Sequence, residues 1–97
     1  MPTSWCLESP QHLVERDWDG EIIVLNTLTG DTHLLAPVAA VVYRCLQRCP
    51  QSANALTAQL SDGLNVDDLA DARASVEATL LEFSRLGLIA PTSIENC

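Results

Sequence analysis

The sequence predicts a small α+β domain, winged-helix-like, in which a three-stranded antiparallel sheet is followed by three helices (β-β-β-α-α-α). Three observations carry this expectation. Two turn signals, Asp19-Gly20 and Thr29-Gly30-Asp31, divide residues 12–35 into three strand-length pieces. An Asp-Gly pair favours a tight hairpin because both central residues of a type I′ turn need positive φ. After Pro37 the apolar residues switch to helical spacing, and two further helical patterns follow before Gly87.

The elements follow in order. Residues 1–11 hold two prolines, two serines and Trp5, and are expected to form a loose N-terminal arm. Residues 12–18 give a short strand with Leu13 and Val14 as its apolar members. The next strand, residues 21–26, carries the β-branched run Ile22-Ile23-Val24. A run apolar on both sides predicts a sheet covered on one face and partly shielded on the other. Residues 32–35 form the third strand, reached through the Gly30 turn.

Pro37 suits the first helical position, where its missing N–H is not needed, although Ala36 before it lacks a capping oxygen. Val38, Val41, Val42, Cys45, Leu46 and Cys49 form the buried stripe of this helix, and Pro50 closes it. Ser52 can cap a shorter second helix with Leu56 and Leu60 inward, ended by Asp62-Gly63. Asn65 caps the third helix, whose first turn holds Asp67 and Asp68, where the helix dipole favours negative charge. Leu69, Val76, Leu80, Phe83 and Leu86 mark its buried face and Gly87 stops it. Leu88-Ile89 is an extended piece before Pro91, and residues 91–97 are a C-terminal tail. Residues 12–90 thus make one domain.

Composition narrows the function. Ninety-seven residues allow one modest core, and the 47% apolar fraction suffices to fold it. Thirteen acidic residues face five arginines and no lysine, for a net charge of −8. Nucleic-acid binding normally needs a basic face. The predicted third helix, with Asp67, Asp68, Asp71, Glu77 and Glu82 against Arg73 and Arg85, is a poor phosphate reader. No apolar run is long enough to span a bilayer, and the N-terminus lacks a signal-peptide pattern. The expectation is a cytoplasmic protein with no membrane or nucleic-acid partner and with its four cysteines reduced.

Cys45 and Cys49 share a helix face, but a zinc site wants about four ligands. His12 and His33 show no metal-site spacing to them, so packing is the simpler role and no cofactor is expected. Cys97 is a source of adventitious dimers. No nucleophile–base pairing and no phosphate loop appear, so an enzyme is the weakest reading.

An ordered series of residues resembles the PqqD-like peptide chaperones, named for a small protein of pyrroloquinoline quinone biosynthesis. It is most similar to the branch found beside HPr-kinase-related proteins. The series is Trp18-Asp19-Gly20, the strand from Ile22 to Asn26, Thr29-Gly30-Asp31-Thr32-His33-Leu34-Leu35, then Pro37, Ala39 and Ala40, and finally Leu86-Gly87-Leu88-Ile89. It covers residues 12–90.

The resemblance implies a non-catalytic module of peptide-modification systems. A precursor's leader peptide would add as a strand beside residues 32–35, with its side chains against the third helix, and would be presented to a modifying enzyme. Ala36 departs from the family in lacking a polar cap, and the acidic third helix points to a less acidic peptide.

Strand addition also follows from the residues alone, because a small sheet has edges that can accept another strand. Thr32, His33, Leu34 and Leu35 are the strand candidates for peptide binding, and Arg73, Glu77, Leu81 and Ser84 are the helix candidates. Plainer readings stand beside these. Leu81 extends a wide core stripe, Arg73 and Glu77 are a solvated i,i+4 pair, His33 is an ordinary strand residue, and Trp5 and Trp18 cover one end of the sheet. Two alternatives remain at the level of the chain: a structural adaptor or homodimer joined through the sheet edge, and a winged-helix nucleic-acid binder.

Overall fold

The computed structural model describes residues 3–19, 21–64 and 69–92. Gly20, Asn65, Asp67, Asp68 and Cys97, and the side chains of Trp18 and Leu69, lie outside what is described. The elements are β1 (Ser4–Leu7), a short 3-10 turn (Pro10–His12), β2 (Leu13–Trp18), β3 (Glu21–Asn26), β4 (Thr32–Leu35), α1 (Pro37–Arg48), β5 (Gln51–Ser52), α2 (Ala53–Leu64), α3 (Leu69–Arg85) and β6 (Ile89–Thr92).

The expected three-stranded sheet is present as β2-β3-β4, antiparallel throughout. Asp19 takes φ 51°, as a tight hairpin turn demands. At the second turn Asn26 Oδ1 accepts from the N–H groups of Leu28 (2.9 Å) and Thr29 (3.3 Å), and Gly30 supplies φ 82°. The register pairs Ile22 with Leu35 and Val24 with His33, so these four share the face toward the helices. Ile22, Val24 and Leu35 are buried there.

α1 begins at Pro37 with no side-chain cap on Ala36, as expected. Its buried residues are Ala40, Val42, Tyr43, Cys45 and Leu46, while Val38 and Val41 pack at the margin. In α2 the Ser52 hydroxyl accepts from Ala55 N–H (3.3 Å), and Leu56 and Leu60 point inward. α3 contributes Ala72, Val76, Leu80 and Phe83 to the same core. It stops at Gly87, whose φ of 75° lets Leu88 N–H reach back to the Phe83 carbonyl (2.9 Å).

The N-terminal segment corrects an expectation. Ser4–Leu7 is not part of a loose arm but the central strand of a second sheet, ordered β5-β1-β6. β1 pairs with β6 from Ser4↔Thr92 to Leu7↔Ile89, and with β5 at Ser4↔Ser52 and Trp5↔Gln51. Ser4 and Gln51 are buried, and Gln51 donates to the Cys45 carbonyl (2.7 Å). Strands this short carry too few residues for a visible period, and their partners are distant in sequence.

The cysteines also differ from expectation. Cys6 and Cys45 are free, whereas Cys49 is disulfide-bonded. The expectation of four thiols came from a compartment argument, which carries no information on which sulfurs lie within bonding reach.

Two outcomes follow from this packing. Deleting residues 1–7 removes the middle strand of the second sheet, so chemical denaturation should show a loss above about 2 kcal/mol, given about 1 kcal/mol per backbone hydrogen bond. A loose arm would leave the midpoint unchanged.

The second outcome concerns alkaline pH. Burial, with Glu15 nearby, raises the Tyr43 phenol above its ordinary 10.0, and burial raises the Cys45 thiol above 9.0. The folded chain therefore holds protons that the unfolded chain releases, so stability is full below pH 9 and falls as pH rises beyond it. Thermal melts from neutral to alkaline pH should show this decline, and Cys45→Val should delay its onset.

Candidate functional site

A sheet ordered β2-β3-β4 has two open long sides, and they differ in charge. β2 carries Glu15, Arg16 and Asp17. Glu15 and Asp17 are both tied to Arg44 of α1, Glu15 at 2.9 Å. Charged side chains along an edge oppose the docking of another strand. β4 reads Thr-His-Leu-Leu and carries no formal charge. The uncharged edge is therefore the one suited to a guest strand.

α3 stands opposite that edge. Between them runs a groove of about 540 Å³. One wall is Thr32, His33, Leu34, Leu35, Ala36 and Ala39; the other is Ala78, Thr79, Glu82, Phe83 and Leu86. Strand alternation sets the first wall: Leu35 is buried and His33 half-buried on the helix side, while Thr32 and Leu34 face outward, Leu34 being 65% exposed. Phe83 is buried beneath the groove and Leu86 is 37% exposed at its end. Among the lining residues only Glu82 bears a formal charge, and Arg85 pairs with it at 2.8 Å.

The groove thus brings together Thr32, His33, Leu34 and Leu35, but not Arg73, Glu77, Leu81 or Ser84. On a helix of 3.6 residues per turn the core stripe Ala72–Val76–Leu80–Phe83 has two flanks. Ala78, Glu82 and Leu86 lie along one flank, and the four sequence candidates lie along the other. Glu77, Leu81 and Ser84 instead line a small recess of about 300 Å³ with Trp5, Ala53 and Leu80. Arg73 binds Glu77 (2.9 Å) and Asn54 on the side of α2. Sequence reasoning missed Ala36, Ala39, Ala78, Thr79, Glu82, Phe83 and Leu86. The i,i+4 series Ala78–Glu82–Leu86 was legible, but nothing in a single sequence says which flank meets the sheet edge.

A larger recess, about 720 Å³, opens between α1 and α2 around Arg44, Cys45, Arg48, Gln59 and Asp62. Its two arginines are matched by Asp17 and Asp62 among the lining residues, and Arg44 is already committed to Glu15 and Asp17. It does not border β4. Among the described residues, no three His, Cys, Asp or Glu side chains are grouped to hold a metal ion, and no helix is long and apolar enough to cross a membrane.

An uncharged sheet edge facing a helix flank across a groove defines the site of a small winged-helix-like domain. The chain belongs to the PqqD family, coenzyme PQQ synthesis protein D, whose sequence pattern matches residues 21–89. The match is at the level of the family and does not distinguish the branch beside HPr-kinase-related proteins. Among solved structures, the fold is similar to that titled "TbiB1 in Complex with the TbiA(beta) Leader Peptide". The TM-score is 0.73 at 15% identity, covering 92% of this chain and 99% of the other. No curated protein matches the sequence significantly.

Proposed function

We propose that this chain is a non-catalytic peptide chaperone. It takes the leader peptide of a precursor as an added strand on β4 and presents it to a peptide-modifying enzyme. The observation that carries this reading is the uncharged open edge of β4 beside the groove, whose lining is mostly apolar. Membership of the PqqD family supports it, as does the likeness in fold to a protein solved with a leader peptide.

The physics is that of strand addition. The guest's backbone satisfies the unpaired N–H and C=O groups of β4, and alternate side chains enter the groove. Backbone bonding is indifferent to sequence, so the groove supplies selectivity. Nothing in this mode of action requires a bond to be made or broken by the chain.

An NMR titration of the labelled domain with the leader region of a neighbouring small gene tests this. Micromolar binding, about −8 kcal/mol, is expected, with shifts confined to β4 and to the Ala78–Leu86 flank of α3. Ala78→Trp fills the groove from an exposed position and should weaken binding at least about tenfold, or 1.4 kcal/mol. Leu81→Ala, on the other flank, should leave it unchanged. Shifts centred on Leu81, or none with any neighbouring peptide, would defeat the reading.

A second reading has its own support. On the outer face of the β2-β3-β4 sheet, Val14 (52% exposed) is paired with Leu25 (37%), and Leu34 is paired with Ile23. This apolar face adjoins the β4 edge, and two copies pairing β4 antiparallel would form a two-fold dimer. Such a dimer competes with peptide for one edge. Sedimentation should then show a concentration-dependent dimer that peptide dissolves; a monomer at every concentration removes the dimer.

A further inference from the structure

The groove carries one charge and its walls are small. Glu82 is the sole formally charged residue on either wall. Its partner Arg85 comes from the last turn of the same helix, and the two side chains are 50% and 73% exposed. An exposed pair of this kind holds its carboxylate weakly, and a carboxylate has lone pairs for more than one donor. The chain's net charge of −8 attracts a basic segment from a distance and repels an acidic one. Ala36, Ala39 and Ala78 present only methyl groups to the groove, above the buried ring of Phe83. That leaves space for large apolar side chains from a guest.

Spacing links the two features. Four residues of helix rise about 6 Å, and two residues of a strand rise about 6.8 Å. Where a guest strand runs alongside α3, its successive groove-facing side chains meet the levels of Ala78, Glu82 and Leu86 in turn. Resting on the peptide-binding reading above, we infer that the groove selects a strand with a lysine or arginine opposite Glu82 and bulky apolar residues two positions to either side. Glu82 is then a specificity-determining residue, and the small walls at Ala36, Ala39 and Ala78 set the size of its neighbours.

Selection from a displayed random-peptide library tests this on the full chain and on its Glu82→Gln and Glu82→Arg variants, with thermal melts confirming that each is folded. The wild-type chain should enrich strands with a basic residue flanked at both second positions by bulky apolar ones. Exchanging that basic residue for glutamine should weaken binding about threefold to fivefold, the upper part of the range of an exposed ion pair. The same exchange should have no effect on Glu82→Gln, and Glu82→Arg should prefer an acidic residue there. Enriched peptides that are lost on Ala78→Trp but show no charge preference overturn the inference and leave the peptide-binding reading standing. If no enriched peptide is sensitive to Ala78→Trp, the groove is not the binding site and both fall.

Discussion

The register between β3 and β4 is the constraint on which the rest of the site depends. Ile22 opposite Leu35 and Val24 opposite His33 direct these side chains toward the helices. Because side chains on a strand repeat every second residue, a slip of one position would expose Leu35 and bury Leu34. The turn at Asn26–Asp31 fixes that register locally, through the Asn26 side chain and the left-handed Gly30. The burial of Ile22, Val24 and Leu35 holds it globally. With register fixed, the outward row of β4 backbone groups has one position and one direction, which a guest strand requires.

α3 serves the core and the groove with adjacent stripes. Val76, Leu80 and Phe83 anchor it, and the next flank round the helix forms the groove wall. Phe83 belongs to both. Its ring lies buried beneath the groove, so under the proposed binding mode a guest strand would not need to displace it. Substitutions on the exposed flank residues can therefore change recognition with little effect on folding, whereas truncating Phe83 would disturb both at once.

Much of this architecture was legible from local chemistry. Asp19-Gly20 and Thr29-Gly30-Asp31 mark two turns, and the apolar spacing after Pro37 marks a helix. The contrast between the charged β2 and the uncharged β4 can be read directly from Glu15-Arg16-Asp17 and Thr32-His33-Leu34-Leu35. The hidden parts share one physical cause, which is dependence on distant contacts. β1, β5 and β6 are two to four residues long, and β1 finds β6 only across nearly the whole chain. A hydrophobic stripe on α3 identifies the buried side but is flanked equally by Ala78–Glu82 and by Glu77–Leu81. Only the packed position of β4 breaks that symmetry.

The hidden sheet bears directly on the groove. β1 leads through the Pro10–His12 turn into β2, at the start of the sheet that ends in β4. β6 leaves α3 directly after Gly87, with Glu8 N–H bonded to the Leu88 carbonyl (2.8 Å). The β1–β6 ladder, from Leu7↔Ile89 to Ser4↔Thr92, thus ties the strand that leads into the β2-β3-β4 sheet to the exit of α3. Walls joined only through the core could shift apart by small rotations of α3, and a guest would then have to draw them together. A ladder at the end of α3 opposes that motion, and under the proposed binding mode less ordering would then remain to oppose binding. The segment expected to be a loose arm is in this way anchored to the end of the helix that forms one wall of the groove.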